Sequence, residues 1–316
     1  MEPLNSALQS LAGNFSIQEL KNAYGLLSAA YRSGRKITLD TQALCYAYAQ
    51  ARMPATYSVL QKMADHLSQH ADSLHSMLDL GCGPGSALWA FSPNIPLKEV
   101  KCLDQSKALL QLADQLYQKH ENPIPVQWIQ QNIQDFIKQK TLDQKFDLTC
   151  ISYVLNEIPE DMQAELINAA WHTTHQFLLI VEPGTPKGFE NIRNTRDILI
   201  QKGAHILAPC THSQLCPMSP NDWCHFSSRL QRSKTHKNIK GTLAYEDEKY
   251  SYLIASRHAH ESGKARVVKK PNQSSGLVEF ETCDSQGLSC QKFSKRQADL
   301  YKKAKKIQWG DVWEQP

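Results

Sequence analysis

The sequence predicts an α/β fold with a largely parallel sheet and helices on both of its faces. From about Ser76, short apolar segments alternate with amphipathic ones, a rhythm that is typical of successive strand–helix–strand units. The first apolar segment runs directly into a glycine-rich loop, and the second ends at an acidic residue. Both features occur where doubly wound sheets bind nucleotides.

Residues 1–72 precede this alternation and are predicted to be helical, because their apolar residues recur at three- and four-residue spacing. Pro54 should kink or begin a helix in this region. Six candidate strands follow: MLDL, VKCLD, VQWI, FDLTCIS, QFLLIVEP and AHILAP. Helical segments separate the successive strands, except that residues 129–145, between VQWI and FDLTCIS, are less regular.

Residues 209–240 interrupt the alternation, because three prolines, three cysteines and several polar residues leave little room for regular structure. EDEKYSYLIASR then has the pattern of a late strand that returns to the sheet. Beyond it, we expect a hairpin around Cys283–Gly287 and a helix in SKRQADLYKKAKKI. The predicted domains are a helical region, an α/β domain that contains a Cys-rich segment (208–226), and a small basic module: 1–72, 73–260 and 261–316.

The composition is that of a globular protein, since 41% of the 316 residues are hydrophobic and 21% are charged. No apolar run approaches the roughly 20 residues that span a bilayer, so we expect no membrane partner. The first residues lack the basic and apolar pattern of a secretory signal. We therefore expect a cytoplasmic protein, whose nine cysteines are reduced and serve packing or metal binding.

The charge is distributed unevenly along the chain. Residues 1–225 hold 17 Lys/Arg and 21 Asp/Glu. Residues 226–316 hold 18 Lys/Arg and 10 Asp/Glu. A basic C-terminal third attached to an acidic body favours binding to a polyanion such as nucleic acid. A solvated basic tail without a partner is the alternative.

The glycine-rich loop follows strand MLDL and contains Gly81, Gly83 and Gly85. Closely spaced glycines after a parallel strand let the backbone turn tightly and approach a nucleotide. Asp79 precedes the loop, and Asp104 ends the second strand, where a carboxylate accepts both ribose hydroxyls. These features match the class I S-adenosylmethionine-dependent methyltransferase (Rossmann-like) fold. Asn132 then lies where such enzymes often have an Asp beside the adenine. The alternative interpretation of the glycine loop is a Rossmann-like domain that no longer binds a cofactor.

The catalytic residues remain unknown from the sequence. The segment after the fourth strand, residues 152–159, lacks the Asn/Asp-Pro-Pro-Tyr/Phe motif of base-methylating enzymes. No Pro-Cys pair that would serve 5-methylcytosine chemistry follows strands four or five. Glu157 is suited to act as a base or to cap the next helix, and Glu182 to accept a hydrogen bond.

Cys210, Cys216 and Cys224 indicate a metal centre, although their spacing differs from the paired Cys-x2–4-Cys of zinc fingers. An iron–sulfur cubane suits wide spacing on an irregular loop and usually takes four thiolates, the fourth from Cys283 or Cys290. His212 and His225 are alternative ligands that would favour zinc. At this level zinc, an iron–sulfur cluster and no metal all remain open.

Several motifs resemble the Rsm-type family of methyltransferase-like proteins, which comprises assembly factors of the mitochondrial ribosomal small subunit and bacterial relatives. The resemblance covers most of the chain from about Arg52, and the absence of a targeting pattern favours a bacterial member. It is carried by the following segments: RMPATY, SYVL, EPGTP, APCTH, CP, DWCHF, YEDEKY and QWGDVW.

This resemblance implies binding to the small ribosomal subunit and its rRNA, and a four-iron four-sulfur (4Fe-4S) cluster. By motif, the cluster ligands would be Cys210, Cys216, Cys224 and Cys283. The first hypothesis is therefore a monomeric ribosome assembly factor that uses the methyltransferase fold as a platform, with basic residues on phosphates and Trp309 and Trp313 mainly packing. An active rRNA methyltransferase is the alternative, and a redox sensor is the third hypothesis.

Overall fold

The computed structural model of the chain describes residues 1–12, 15–33, 37–138, 144–241, 243–260 and 264–314. Within these ranges, the α-helices are α1 (Glu2–Ala12), α2 (Ile17–Arg32), α3 (Gln42–Leu67), α4 (Ser86–Phe91), α5 (Lys107–Tyr117), α6 (Ile133–Lys138), α7 (Glu160–Thr173), α8 (Pro186–Gln201), α9 (Lys234–Lys240) and α10 (Ala298–Ala304). Short 3₁₀ helices occupy Ser68–Ser73, Leu155–Glu157 and Lys295–Gln297.

The strands in the same ranges are β1 (Ser76–Leu80), β2 (Glu99–Asp104), β3 (Val126–Gln130), β4 (Phe146–Ser152), β5 (Thr174–Pro183), β6 (His205–Ala208), β7 (Phe226–Gln231), β8 (Tyr245–Ser256), β9 (Ala265–Val267), β10 (Asn272–Ser274), β11 (Leu277–Asp284), β12 (Gly287–Ser294) and β13 (Val312–Trp313). All six candidate strands and the late strand are confirmed. Among the described residues, no helix combines the length and apolarity needed to cross a membrane.

The chain forms two compact units, Met1–Ser152 with Ser228–Glu248, and Tyr153–Ser227 with Lys249–Pro316. The predicted domain ranges stay a prediction, because compactness alone does not test independent folding. The predicted boundary at residues 260 and 261 reaches residues 261–263, which lie outside the described residues.

In the first unit, four strands pair in parallel in the order β3-β2-β1-β4. Strand β1 is therefore central among these strands, and its Met77, Leu78 and Leu80 are fully buried, as expected for a parallel sheet that is covered on both faces. Helix α5 begins at Ser106, whose hydroxyl accepts a hydrogen bond from the Leu109 N–H. This strand order, with helices between successive strands, is that of a Rossmann-like α/β sheet.

The N-terminal helices confirm the helical prediction for the described part of residues 1–72. Pro54 lies within α3, so no helix begins there, and the predicted kink stays a prediction. Leu20 and Leu27 of α2, together with Tyr46 and Ala47 of α3, form an apolar cluster with Ile239 of α9.

In the second unit, β8 pairs antiparallel with both β5 and β6. Helix α8 begins at Thr185, whose side chain accepts from the Gly188 N–H, with Pro186 in the first turn, a favourable helix start. A separate sheet has the order β10-β11-β9-β13, with β12 paired to β11. The β11–β12 turn, in which Asp284 pairs with Gly287, confirms the predicted hairpin, and α10 confirms the helix after it.

Two predictions of irregular structure need correction. Residues 209–225 hold no α-helix or strand, but β7 and α9 lie within the remaining part of 209–240. Helix α9 begins at Ser233, whose hydroxyl caps the His236 N–H. The less regular segment 129–145 contains the short α6, and its residues 139–143 lie outside the described residues.

Candidate cofactor pocket and cysteine pocket

The glycine loop of the first unit adopts a conformation that requires glycine. Gly81, Gly83 and Gly85 have φ values of 74°, 53° and 83°, in the left-handed region that side chains with a Cβ disfavour. The N–H groups of Gly81 and Cys82 both donate to the Leu103 carbonyl, at 2.8 and 2.9 Å. The loop is thus attached to the end of β2, and Cys82 within it is buried.

Asp104 lies at this junction, as the sequence predicts. Its two carboxylate oxygens accept from the N–H groups of Gly83 at 2.9 Å and Ser106 at 2.8 Å. Burial raises the pKa of this carboxyl, and the backbone donors oppose that shift. A carboxylate oxygen has more than one lone pair, so both oxygens retain capacity for ligand hydroxyls.

Asp79 is completely buried at the penultimate position of β1. Neither of its carboxylate oxygens has a hydrogen-bond partner among the described residues. Burial and the charge of Asp104 raise its pKa to about 7. An isolated buried carboxylate is costly unless it is protonated or paired, so Asp79 marks a place where a bound cationic group would be stabilised.

Asn132 follows β3 and is exposed. Its side chain engages Asp135, accepting from the Asp135 N–H at 2.8 Å and donating to the Asp135 carboxylate at 2.7 Å. In this state Asn132 caps α6, and its role beside an adenine stays a prediction. Trp128, which the sequence did not single out, lies in contact range of Gly85: a Cβ there would be 3.4 Å from the indole.

The segment after β4 contains a strained residue and a buried carboxyl. Tyr153 has φ 61°, which is rare for a bulky residue. Glu182, fully buried at the end of β5, accepts from the Leu155 N–H at 2.9 Å and from the Asn156 side chain. Burial raises its pKa to about 7. Glu157 is exposed, and the N-cap position of α7 is held by Pro159, so the capping role considered for Glu157 is not observed.

Four cysteines of the second unit line one pocket: Cys210, Cys216, Cys224 and Cys283. The first three come from the irregular loop 209–225, and the fourth is the penultimate residue of β11. The remaining wall includes apolar side chains such as Phe189, Met218 and Val268. Loop and strand, distant in sequence, thus supply thiols to the same place.

Cys290 is exposed on β12, opposite Glu281, and does not line this pocket. His212 does line it, with Nε2 3.6 Å from the Cys283 sulfur. His225 instead stacks on Trp223 at 5.3 Å and is absent from the pocket lining. Among the described residues, no group of three or more His, Cys, Asp or Glu side chains is arranged to hold a single metal ion.

Burial raises the pKa of three pocket thiols, Cys210, Cys224 and Cys283, that of Cys283 to about 12. Neighbouring cysteines raise the pKa of all three thiols further, and the charge of Arg196 opposes the shift at Cys210. In the absence of a ligand these groups are therefore protonated at neutral pH. Any metal that binds here must displace their protons.

The basic C-terminal residues are exposed on β12, the following 3₁₀ turn, α10 and the residues after it: Lys292, Lys295, Arg296, Lys302, Lys303, Lys305 and Lys306. Trp313 is buried against Phe280 and Phe293. Trp309 donates its Nε1–H to the Val268 carbonyl at 2.9 Å. Both tryptophans therefore pack within the fold, as predicted.

Two segments quoted for the family resemblance meet in the first unit. Arg52, from RMPATY, forms an ion pair with Glu248, from YEDEKY, at 2.9 Å. Arg229 binds Asp247 through two hydrogen bonds of 2.7 Å. Two acidic residues of YEDEKY therefore connect β8 to α3 and to β7 within this unit.

Solved structures resemble the chain at low identity. An O-methyltransferase family protein from Burkholderia thailandensis has a TM-score of 0.48 and 14% identity, over 82% of this chain and 72% of that one. Magnesium protoporphyrin IX methyltransferase from Synechocystis PCC 6803, with bound S-adenosylmethionine, has a TM-score of 0.39 and 16% identity, over 71% and 100%.

Curated relatives are proteins of mitochondria. The human "Ribosome assembly protein METTL17, mitochondrial" is 25% identical over 323 residues, which cover 91% of this chain and 67% of that protein. "Rsm22-cox11 tandem protein 2, mitochondrial" of Schizosaccharomyces pombe is 24% identical over 349 residues, covering 91% and 45%. The chain thus spans less than half the length of the fission yeast relative.

A family model described as "Mitochondrial small ribosomal subunit Rsm22" matches residues 42–314. The matched range includes the glycine loop, the cysteine loop and the C-terminal sheet. The resemblance predicted from the sequence is confirmed, and the chain belongs to the Rsm22 family.

Proposed function

We propose that this protein is an assembly factor that binds the small ribosomal subunit and its rRNA. The observation that carries the proposal is the set of seven exposed basic side chains from β12 to the residues that follow α10, in a chain of this family. The curated human relative, itself a ribosome assembly protein, supports the same assignment. A cytoplasmic location and a monomeric state outside the ribosome stay predictions.

The basic surface contains cations that are available to phosphates. Lys292 and Lys302 pair with Glu279 at 2.7 Å and Asp299 at 3.3 Å, but both lysines remain largely exposed. Lys303 and Lys306 form no ion pair with any carboxylate in the described ranges. Contacts of this kind position a protein on RNA without reading its sequence, and they weaken as salt rises.

The glycine loop and its two aspartates fit S-adenosylmethionine. Asp104 would accept hydrogen bonds from the ribose hydroxyls, and the buried Asp79 carboxyl, which has no hydrogen-bond partner among the described residues, favours a cationic cofactor over a neutral or anionic nucleotide. When bound, this cofactor supplies an electrophilic methyl group. The chain's own residues would bind and orient it, whether or not the methyl group is transferred.

The four-cysteine pocket fits an iron–sulfur cluster better than zinc. The spacing of Cys210, Cys216 and Cys224 lacks the paired Cys-x2–4-Cys that is usual in structural zinc sites. Four thiols share one pocket whose lining includes apolar side chains. A four-iron four-sulfur cluster normally takes four thiolates, here Cys210, Cys216, Cys224 and Cys283. Binding of the cluster by these four thiolates would link loop 209–225 to β11.

An active rRNA methyltransferase is the second candidate function. The observation that favours it is the buried Glu182 beside the strained turn at Tyr153, because strain and perturbed carboxyls cluster at catalytic sites. Labelled methyl transfer to small subunits from cells that lack the protein tests this candidate. Incorporation that Asp104→Asn abolishes would establish catalysis; no incorporation despite bound cofactor would leave the assembly role.

RNA binding is tested with metal-loaded protein and small-subunit rRNA over a range of salt concentrations. Replacing Lys302, Lys303, Lys305 and Lys306 by Gln should lower affinity at least about tenfold and reduce the slope of log K against log salt by up to about four. The matched control replaces four exposed lysines elsewhere: Lys98, Lys107, Lys119 and Lys202. Equal loss in both sets, or no loss in either, would contradict the proposed surface.

A further inference from the structure

Two buried arginines line the four-cysteine pocket. Arg196 extends from α8 and is 2% exposed, and Arg266 extends from β9 and is 6% exposed. An arginine that is removed from water without full charge compensation is costly. Their position beside four thiols therefore requires an explanation.

Arg196 holds the loop that carries the cysteines. Its Nη2 donates to the carbonyls of His212 at 2.9 Å and Gln214 at 2.6 Å, between Cys210 and Cys216. Its Nη1 lies 3.3 Å from the Asp197 carboxylate, whose side chain is 42% exposed. Its Nε is buried and has no hydrogen-bond partner among the described residues. The Arg196 Nε–H could therefore donate a hydrogen bond to a group bound in the pocket.

Arg266 is satisfied only by neutral groups. Its Nε donates to the Pro209 carbonyl at 2.7 Å, and its Nη1 donates to the Gly310 carbonyl at 2.8 Å. No Asp or Glu in the described ranges forms an ion pair with it. The hydrogen bonds fix the guanidinium beside Cys210, the residue after Pro209, without neutralising its charge.

The charges of the pocket balance only if it holds an anionic centre. Four protonated cysteines would leave the two buried cations with only the carboxylates of Asp197 and Asp284, neither of which is buried. Four thiolates around a cluster core of charge +2 carry a formal charge of about −2. We propose that Arg196 and Arg266 are the built-in counter-charges of a dianionic four-thiolate cluster, and that they raise its reduction potential. This inference rests on the proposed cluster.

The effect on reduction follows from electrostatics. Reduction adds one electron to a centre that is already negative, and nearby buried cations stabilise the added charge in a medium of low dielectric constant. Net charge and hydrogen bonds are among the properties that set the potentials of these clusters. Removing either arginine's charge should therefore disfavour the reduced state.

The test is a redox titration of the reconstituted full-length protein. The spectrum of the reduced cluster reports the ratio of reduced to oxidised cluster at each potential. We expect Arg266→Gln and Arg196→Gln each to lower the ratio of reduced to oxidised cluster at fixed potential about tenfold, equivalent to about 59 mV for one electron. Arg266→Lys and Arg196→Lys keep the charge and should restore most of the ratio. Arg193→Gln is the matched control, because Arg193 lines the same pocket but is only half-buried.

Two failures are distinguishable. Wild-type protein that binds no iron and sulfide on anaerobic reconstitution would overturn the proposed cluster, and the counter-charge inference with it. A cluster of full occupancy whose potential is the same in the wild type and both Gln variants would overturn the counter-charge inference alone. If one Gln variant does not fold, the other gives an independent measurement, since the two arginines lie on different elements.

Discussion

The N–H of Gly83 donates a hydrogen bond of 2.9 Å to the Asp104 carboxylate, so the glycine loop is joined directly to the end of the neighbouring strand. The same carboxylate accepts from the Ser106 N–H at the start of α5. The backbone therefore fixes the orientation of Asp104 before any ligand binds. Such preorganisation lowers the entropy that binding costs.

Asp104→Asn should weaken S-adenosylmethionine binding about 10- to 100-fold, the range expected when a charged hydrogen-bond acceptor is lost. Isothermal titration calorimetry measures this directly. The matched control is Asp72→Asn, an exposed aspartate in the same unit, whose affinity should equal that of the wild type. Unchanged affinity in Asp104→Asn would mean that the cofactor does not contact this carboxylate.

Asp79 should make the ligand-free protein less stable as pH rises. Its folded pKa is raised to about 7, above the unfolded value of about 3.9, so the folded state holds the proton more tightly. Its stability contribution is present below about pH 4 and is lost as pH rises to about 7. The side chain in Asp79→Asn does not titrate, so this variant should not lose that stability as pH rises.

The measurement is thermal unfolding of ligand-free protein between pH 5 and pH 8. At pH 8, Asp79→Asn should be more stable than the wild type by at least about 1 kcal/mol, or roughly 2–4 °C. The difference should shrink toward pH 5, and cofactor should stabilise the wild type more than the variant. A pH-independent difference would show that Asp79 is not titrating in the folded protein.

Cys283 and Cys290 provide a matched pair for identifying the fourth cluster ligand. The hairpin places Cys283 on the pocket and leaves Cys290 exposed on the partner strand. Cys283→Ser should lose most of the bound iron and loosen the attachment of loop 209–225 to β11. Cys290→Ser should retain the wild-type iron content, determined with sulfide analysis after anaerobic reconstitution. The reverse result would assign the ligand to Cys290.

The longer strands could be predicted because each is an apolar run bounded by turn residues. Strand β7 was missed because its inward positions are Phe226, Ser228 and Leu230, and the serine hides the apolar alternation. Strands β9, β10 and β13 have only two or three residues, too few to establish a period of two. Their pairing depends on tertiary contacts.

The residues of the candidate sites likewise divide into those that the sequence could predict and those that depend on tertiary contacts. The glycine loop and the cysteines carry local signals in the sequence. Arg196 and Arg266 have no such local signal, because an arginine is expected to be exposed unless its contacts show otherwise. The choice between Cys283 and Cys290 likewise depends on hairpin register, since the two lie on different strands of one pair.

Two helical glycines should respond in opposite directions to replacement by alanine. A Cβ on Gly188, in the first turn of α8, would lie 2.0 Å from the Pro183 carbonyl oxygen. Gly188→Ala should therefore destabilise the second unit by about 1–3 kcal/mol, since the Pro183 backbone must move. A Cβ on Gly25, within α2, meets no atom within 4 Å among the described residues.

Gly25→Ala should stabilise the first unit by about 0.5–1 kcal/mol, because alanine loses less backbone entropy in a helix. Urea unfolding combined with hydrogen exchange of each unit measures both effects separately. Because Gly188 also donates its N–H to the Thr185 cap at 3.1 Å, exchange should increase first at the start of α8. Stabilisation by Gly188→Ala would show that the close approach of Pro183 is not maintained in solution.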